Sequence, residues 1–101
     1  MSDCLFSREA QDDLFEIITF IAAKNPSAAR KLIADIQEAC FKLAGMPTLG
    51  HRRNDLAENP DVLFFCVRKH YLIVYLKGSS PLQVVRVLHG ARDAAAELAS
   101  D

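Results

Sequence analysis

The chain has 101 residues, of which half are apolar and a quarter are charged. This size and mixture predict a single folded domain over residues 1–101 and exclude a disordered tail, because chains of this length bury one hydrophobic core and rarely divide. Twelve basic and thirteen acidic residues leave a net charge of −1, which excludes a protein that attracts nucleic acid or anionic membrane over its whole surface.

The first predicted elements are a short strand and an amphipathic helix. The strand is Cys4-Leu5-Phe6, and Ser7 follows it as a side-chain cap with acidic residues close behind, which is typical of a helix start. Apolar residues then recur at the spacing of one helical face, which should be buried. They are Ala10, Leu14, Ile17, Ile18 and Ile21.

A second amphipathic helix follows directly. Asn25-Pro26 interrupts the first helix, since a residue before proline avoids the helical region, and the same pair can cap and start the next one. The two helices are therefore predicted to form an antiparallel hairpin. The second helix ends at Gly45, and its apolar face consists of Ala29, Leu32, Ile33, Ile36, Cys40 and Leu43.

The region from Met46 to Pro60 is predicted to be a polar loop. It contains two prolines, a glycine and the sequence HRRND, and it has no sustained hydrophobic period. One helical turn is expected within it, at residues 55–58.

The remaining chain predicts three strands and a short helix. Residues 62–67, 71–76 and 82–88 are rich in β-branched and aromatic residues and are joined by short polar turns, so they should pair antiparallel. Residues 91–99 form an alanine-rich C-terminal helix. Because each long helix has one apolar stripe, both must lie on one face of the sheet. The predicted fold is α+β in the order β-α-α-β-β-β, a two-helix hairpin packed on a mainly antiparallel four-stranded sheet.

Four segments in this order carry a resemblance to a known family. They are FSREAQDDLFEIITFIAAKNPSAA, the segment MPTLGHRRNDL, HYLIVYL and VVRVLHGARD. On these segments the chain resembles the RelE/ParE superfamily of type II toxin–antitoxin toxins, and within it the ParE, or plasmid stabilisation, branch. The resemblance implies a toxin that is encoded beside an antitoxin and neutralised by it.

The resemblance implies two alternative targets. Toxins of the ParE branch are associated with poisoning of DNA gyrase, and those of the RelE branch cut mRNA in the ribosome. RelE-type nucleases usually carry a strongly basic surface and a terminal tyrosine or histidine, whereas this chain is nearly neutral and ends in AAAELASD. The expected function is therefore gyrase poisoning without catalysis, with a ribosome-dependent endoribonuclease as the alternative.

The implied partners follow the same resemblance. The antitoxin is expected to be a ParD-like ribbon-helix-helix protein in a hetero-oligomer with the toxin, and operator DNA is bound only through the antitoxin. No cofactor, metal or membrane is expected.

The candidate target-binding residues are Arg53, Arg68, Arg86, His89 and Arg92. In a nuclease, His89 would act as general acid or base, and Arg86, Arg68 and Arg92 would stabilise the phosphate as charge builds. In a binding-type toxin the same side chains shape a docking surface and none is catalytic. A plainer alternative for His89 is a polar strand end, and for Arg53 a solvated loop residue.

Three aromatic residues are candidates for antitoxin contact. Phe15, Phe20 and Phe41 lie well away from the centres of the apolar stripes of their helices. Either they seal the edges of the core, or they stay exposed and form a groove for an antitoxin helix.

The cysteines indicate a reducing compartment. Cys4, Cys40 and Cys66 are widely spaced and form no CxxC pair, which argues against a disulfide framework or a zinc site, so they are predicted to fill the core. The apolar runs are too short to span a bilayer and the start is a poor signal peptide, so the expected location is the cytoplasm.

Overall fold

The computed structural model describes residues 4–53 and 55–90, with the helices and strands in the predicted order. Neither helix in these ranges is long and apolar enough to cross a membrane. The elements are β1 (Cys4–Phe6), α1 (Arg8–Lys24), α2 (Pro26–Gly45), a 3-10 turn (Pro47–Leu49), β2 (Val62–Val67), β3 (Tyr71–Leu76) and β4 (Leu82–His89). The predicted C-terminal helix and Arg92 lie outside the described residues.

Both helices begin at the capping residues that the sequence predicts. Ser7 Oγ accepts the Ala10 N–H at 3.0 Å, and Asn25 Oδ1 accepts the Ala28 N–H at 3.1 Å. The Asn25 N–H in turn donates to the Ile21 carbonyl at 2.7 Å and ends α1. One residue therefore both stops the first helix and starts the second, which fixes the tight turn of the hairpin.

The four strands form one sheet in the order β1-β4-β3-β2. β2 pairs antiparallel with β3 and β3 with β4, whereas β1 pairs parallel with β4 at the sheet edge. The parallel pair arises because the helix hairpin carries the chain over one face of the sheet between β1 and the meander. The α+β fold is confirmed: two helices pack on an open, mainly antiparallel sheet.

The main core lies between the helix hairpin and one face of the sheet. From α2 the fully buried residues include Leu32, Ile36 and Leu43, while α1 buries Ala10 completely and the rest of its apolar stripe in part. The sheet contributes one alternating set of side chains to this core. They are Leu63, Val67, Ile73, Tyr75, Leu82, Val84 and Val87.

Strand β4 contains a β-bulge that sequence periodicity does not reveal. Val84 and Val87 are both buried in the helix-side core, although they are three positions apart and strict alternation would place them on opposite faces. The bulge supplies the extra residue, because Val74 pairs with Arg86 while Tyr75 pairs with Val84.

The loop after α2 is more structured than predicted. The expected helical turn at residues 55–58 is a simple turn, in which the Leu56 and Ala57 N–H groups both donate to the Arg53 carbonyl at 2.9 Å. Leu56 and Ala57 pack against a second cluster on the sheet face away from the helices. This cluster consists of Phe64, Leu72, Val74 and Leu88.

The prediction that all three cysteines fill the core is wrong for one of them. Cys40 is buried and Cys4 is half-buried, but Cys66 is exposed. Cys66 belongs to β2, which is an edge strand, and its side chain points away from the helix hairpin.

Candidate functional site

The candidate site is a groove of about 450 Å³ between α1 and the ends of β3 and β4. Its polar walls are formed by Asp13 and Glu16 of α1 and by Arg86 and His89 of β4. Tyr71 closes the end of the groove at β3. Two of the five predicted target-binding residues, Arg86 and His89, therefore share one surface.

Arg86 is held in the groove by a bidentate ion pair with Asp13. Its Nε lies 2.7 Å from Asp13 Oδ2 and its Nη2 lies 3.0 Å from Oδ1. The side chains are only 20% and 18% exposed, so the pair is shielded from solvent and is stronger than a surface pair. The Arg86 guanidinium, which the sequence predicts to contact the target, is therefore bound to a carboxylate of the same chain.

Asp13 also completes the edge of the sheet. β1 pairs with β4 as far as Val84, and among the described residues the β4 edge beyond Val84 has no neighbouring strand. There Asp13 Oδ2 accepts the Val87 N–H at 3.1 Å, and Ser7 Oγ donates to the Val85 carbonyl at 2.8 Å. Side chains from the start of α1 therefore make the hydrogen bonds to β4 that a neighbouring strand would otherwise make.

His89 belongs to an aromatic cluster with His70 and Tyr71. The centre of its ring lies 5.1 Å from that of Tyr71 in an edge-on arrangement and 6.4 Å from that of His70 in a nearly parallel one. The three meet because Tyr71 pairs with His89 in the β3–β4 ladder. His89 is predicted from the sequence, but its pairing with Tyr71 is not, although the antiparallel register of two consecutive strands could have indicated it.

Arg68 lies on a different surface, at the turn between β2 and β3. Its Nε donates to Asp35 Oδ2 of α2, and both side chains are partly exposed. Arg68 and Lys69 have φ angles of 55° and 65°, a left-handed conformation that non-glycine residues rarely adopt. The structure therefore does not bring Arg68 into the groove that holds Arg86.

Arg53 is also paired locally. Its Nε and Nη2 donate to the two carboxylate oxygens of Asp55 at 3.0 and 2.8 Å on the exposed loop. The hydrogen bond lowers the pKa of the Asp55 carboxyl and raises the pKa of the Arg53 guanidinium. Arg92, the fifth predicted residue, lies outside the described residues.

The three candidate aromatics are exposed rather than sealing the core edges. Phe15, Phe20 and Phe41 are 74%, 65% and 61% exposed. On α1, Phe15 and Phe20 form a stripe with the acidic Asp12 and Glu16, and Lys24 Nζ lies 4.7 Å from the centre of the Phe20 ring. Contact with an antitoxin at these residues stays a prediction.

The long loop is anchored to the core by Tyr75, which the sequence analysis treated only as a strand residue. Its hydroxyl donates to the Pro47 carbonyl at 2.6 Å and accepts the Gly50 N–H at 2.9 Å. Burial raises the pKa of this hydroxyl. A Cβ atom on Gly50 would lie 2.4 Å from the Tyr75 hydroxyl, so the close approach requires glycine.

The sequence matches the family model described as ParE toxin of type II toxin-antitoxin system, parDE, over residues 4–94. The chain belongs to this family. The ParE branch that the sequence motifs predict is thereby confirmed, and membership in a parDE family implies an antitoxin as partner.

A solved structure from P. aeruginosa shows the same fold. A chain of the chromosomal ParDE TA system from P. aeruginosa superposes with a TM-score of 0.69. The two sequences are 23% identical over 89% of this ParE-family chain and 97% of the other. At this identity the likeness supports the fold alone. No curated protein sequence matches the chain.

Proposed function

We propose that this ParE-family chain inhibits growth by binding to DNA gyrase and poisoning it, without chemistry of its own. The observation that carries the proposal is the shielded ion pair between Arg86 and Asp13. Metal-free RNA cleavage needs cations directed at a phosphate as its negative charge builds. A carboxylate already occupies the guanidinium of Arg86, so a phosphate would have to displace it and meet its repulsion.

The other candidate arginines support the same view. Arg68 is paired with Asp35, and Arg53 with Asp55, at separate places on the surface. These three ion pairs do not converge on one phosphate-sized site within the described residues. Docking to a protein surface does not require cations that converge on one site, because separate polar contacts over a larger area suffice.

We further propose that a ParD-like ribbon-helix-helix antitoxin neutralises the toxin by direct contact with the helix hairpin. Exposed phenylalanines on neighbouring helices offer the apolar anchors that protein interfaces favour. The antitoxin would also carry the complex to operator DNA, and both proteins would act in the cytoplasm.

A second candidate is ribosome-dependent mRNA cleavage, which the cluster of His70, Tyr71 and His89 favours. These side chains can move protons, and His89 lies beside Arg86 in the groove. In this alternative His89 would be the general acid or base.

The test is induction of the toxin alone in a bacterium, with induction beside its antitoxin as the control. Plasmid supercoiling, chromosomal breaks and transcript integrity are followed in the same cultures. Broken or relaxed DNA with intact transcripts supports gyrase poisoning. Transcripts cut during translation, with DNA intact, would favour the nuclease and contradict the first proposal.

A further inference from the structure

Two cysteines from distant parts of the chain meet beneath the helix hairpin. Cys4 begins β1, and Cys40 lies in α2, 36 positions later. The Cys4 Sγ donates to the Cys40 backbone oxygen at 3.2 Å, and the two side chains are also within hydrogen-bonding reach of each other. The fold therefore brings a pair of thiols together across the junction of a strand and a helix.

The two thiols differ in their access to solvent. Cys40 is only 1% exposed, and burial, together with the neighbouring Cys4 thiol, raises its pKa to about 12. Cys4 is half-buried, so a small oxidant can reach it first. Cys66 is exposed on β2, at the opposite edge of the sheet from β1, so it cannot replace Cys40 as the partner of Cys4.

We propose that hydrogen peroxide converts Cys4 and Cys40 into an intramolecular disulfide that ties β1 to α2. In the first step the Cys4 thiolate attacks one peroxide oxygen, the O–O bond breaks, and Cys4 becomes a sulfenic acid while hydroxide leaves. In the second step the Cys40 sulfur attacks the Cys4 sulfur as its own proton leaves, and the sulfenic oxygen departs as water. The two thiols supply the two electrons and two protons that reduce one peroxide to two waters.

The second step should respond to pH. Only the thiolate of Cys40 attacks readily, and its high pKa keeps the thiolate fraction small at neutral pH. Closure of the disulfide should therefore speed up as the pH rises.

The cross-link would act on the part of the sheet that has the fewest contacts. β1 has three residues, and in the sheet formed by the described residues it lies at the edge and pairs with β4 alone. Joining it to α2 restricts the unfolded chain and so stabilises the native one. A bound antitoxin stabilises the toxin by mass action, and the disulfide would stabilise the toxin when no antitoxin is bound.

The experiment uses the purified full chain, treated with hydrogen peroxide at neutral and mildly alkaline pH, and the intact mass is measured before the remaining thiols are alkylated for peptide mapping. We expect a mass loss of about 2 Da, one linked peptide containing Cys4 and Cys40, and a rise in Tm of about 10 °C that reductant reverses. The mass loss should be faster at the higher pH.

Cys66→Ser and Cys4→Ser are the matched variants. Cys66→Ser should keep the mass loss and the Tm rise, and Cys4→Ser should lose both. The proposal is overturned if the wild type gains only oxygen atoms, if it links solely through Cys66 between molecules, or if Cys4→Ser still loses about 2 Da. The linked peptide of the wild type, which contains Cys4 and Cys40, tests the proposal even if a variant folds poorly.

Discussion

At the scale of single residues, Asp13 both lines the candidate groove and completes the hydrogen bonding of the sheet. Its carboxylate holds the Arg86 guanidinium and accepts the Val87 N–H at the edge of β4. In the sequence it is one of several acidic residues near the start of α1, and nothing in its spacing distinguishes it from Asp12. Its role depends on the end of β1, after which no strand in the described part of the chain pairs with this edge of β4.

Replacing Asp13 should therefore destabilise the protein. Asp13→Ala leaves Arg86 without its bidentate partner and the Val87 N–H unpaired, and we expect the free energy of unfolding to fall by about 2 kcal/mol. Urea denaturation measures the change. Asp12→Ala, which removes an exposed acid from the same helix, is the control and should shift stability by less than about 0.5 kcal/mol. Equal losses in the two variants would contradict a special role for Asp13.

His89→Ala separates the two proposed activities. A general acid or base contributes about 100-fold or more to cleavage, so its removal from a nuclease should nearly abolish growth inhibition. A docking contact at the end of a strand should change growth inhibition much less. Growth after induction is the measurement, and His51→Ala, in the loop outside the groove, is the matched control. Full loss of toxicity in His89→Ala with normal folding and normal gyrase binding would contradict a purely docking role.

At the scale of elements, the turn from β2 to β3 is built from unusual residues. Hairpin turns with left-handed residues favour glycine and asparagine, because other side chains meet the backbone there. Here the residues are Arg68 and Lys69, and Arg68 reaches back to Asp35 on α2. The turn therefore contains local backbone strain, and its Arg68 side chain connects the sheet to the helix hairpin.

Relieving that strain should stabilise the protein. Lys69→Gly places glycine where φ is 65°, and we expect a gain of about 0.5–1 kcal/mol in the free energy of unfolding. The same replacement at Lys31, an exposed residue within α2, should instead cost about 1 kcal/mol. Thermal and urea unfolding of both variants tests whether the two changes in the free energy of unfolding have opposite signs. A loss at Lys69→Gly would mean that the left-handed turn carries no strain.

The helix hairpin presents the second testable element. Phe20→Ser removes an exposed aromatic residue, so it should weaken antitoxin binding by about 10-fold or more while leaving the Tm within a few degrees of the parent. Calorimetric titration with the antitoxin measures the affinity. Lys31→Ser, on the exposed surface of α2, is the control. Unchanged affinity in a Phe15, Phe20 and Phe41 triple serine variant would rule out this surface.

At the scale of the whole molecule, the buried ionisable groups predict instability in alkali. Burial raises the pKa of the Cys40 thiol from 9.0 to about 12, and it raises the pKa of the Tyr75 hydroxyl. As the pH rises above 9, the unfolded chain loses the Cys40 proton while the folded chain keeps it. Unfolding then releases protons, so the stability present at neutral pH is lost progressively between pH 9 and 12.

We expect the free energy of unfolding to fall by at most about 1.4 kcal/mol per pH unit for each such group. Urea denaturation in reducing buffer at several pH values measures the slope. Cys40→Ala lowers stability at every pH but should flatten the slope near pH 10, because it removes one of the titrating groups. An unchanged slope in this variant would show that Cys40 does not cause the effect.

The sequence by itself determined the two long helices, the four strands, their order and the family. Apolar spacing marked the faces of both helices, Ser7 and Asn25 marked where they begin, and the strand segments agree with the structure to within a residue. These features follow from local physics, since capping, helical period and β-branched runs act over a few neighbouring residues. The angles of Phe15, Phe20 and Phe41 on their helices placed them beside the apolar stripes, but only the structure shows that they are exposed.

Only the tertiary structure decided which polar residues meet. The pairing of Asp13 with Arg86 spans 73 positions, and it depends on where β1 ends and on a bulge in β4 that no spacing reveals. Likewise, Arg68 was grouped with Arg86 in the sequence, yet the turn directs it to α2. Cys66 is exposed although Phe64, on the same face of β2, is buried, because the outer cluster with Leu56 and Ala57 includes Phe64 and not Cys66. Such contacts depend on how distant elements pack against each other. The sequence around each residue carries no signal of that packing.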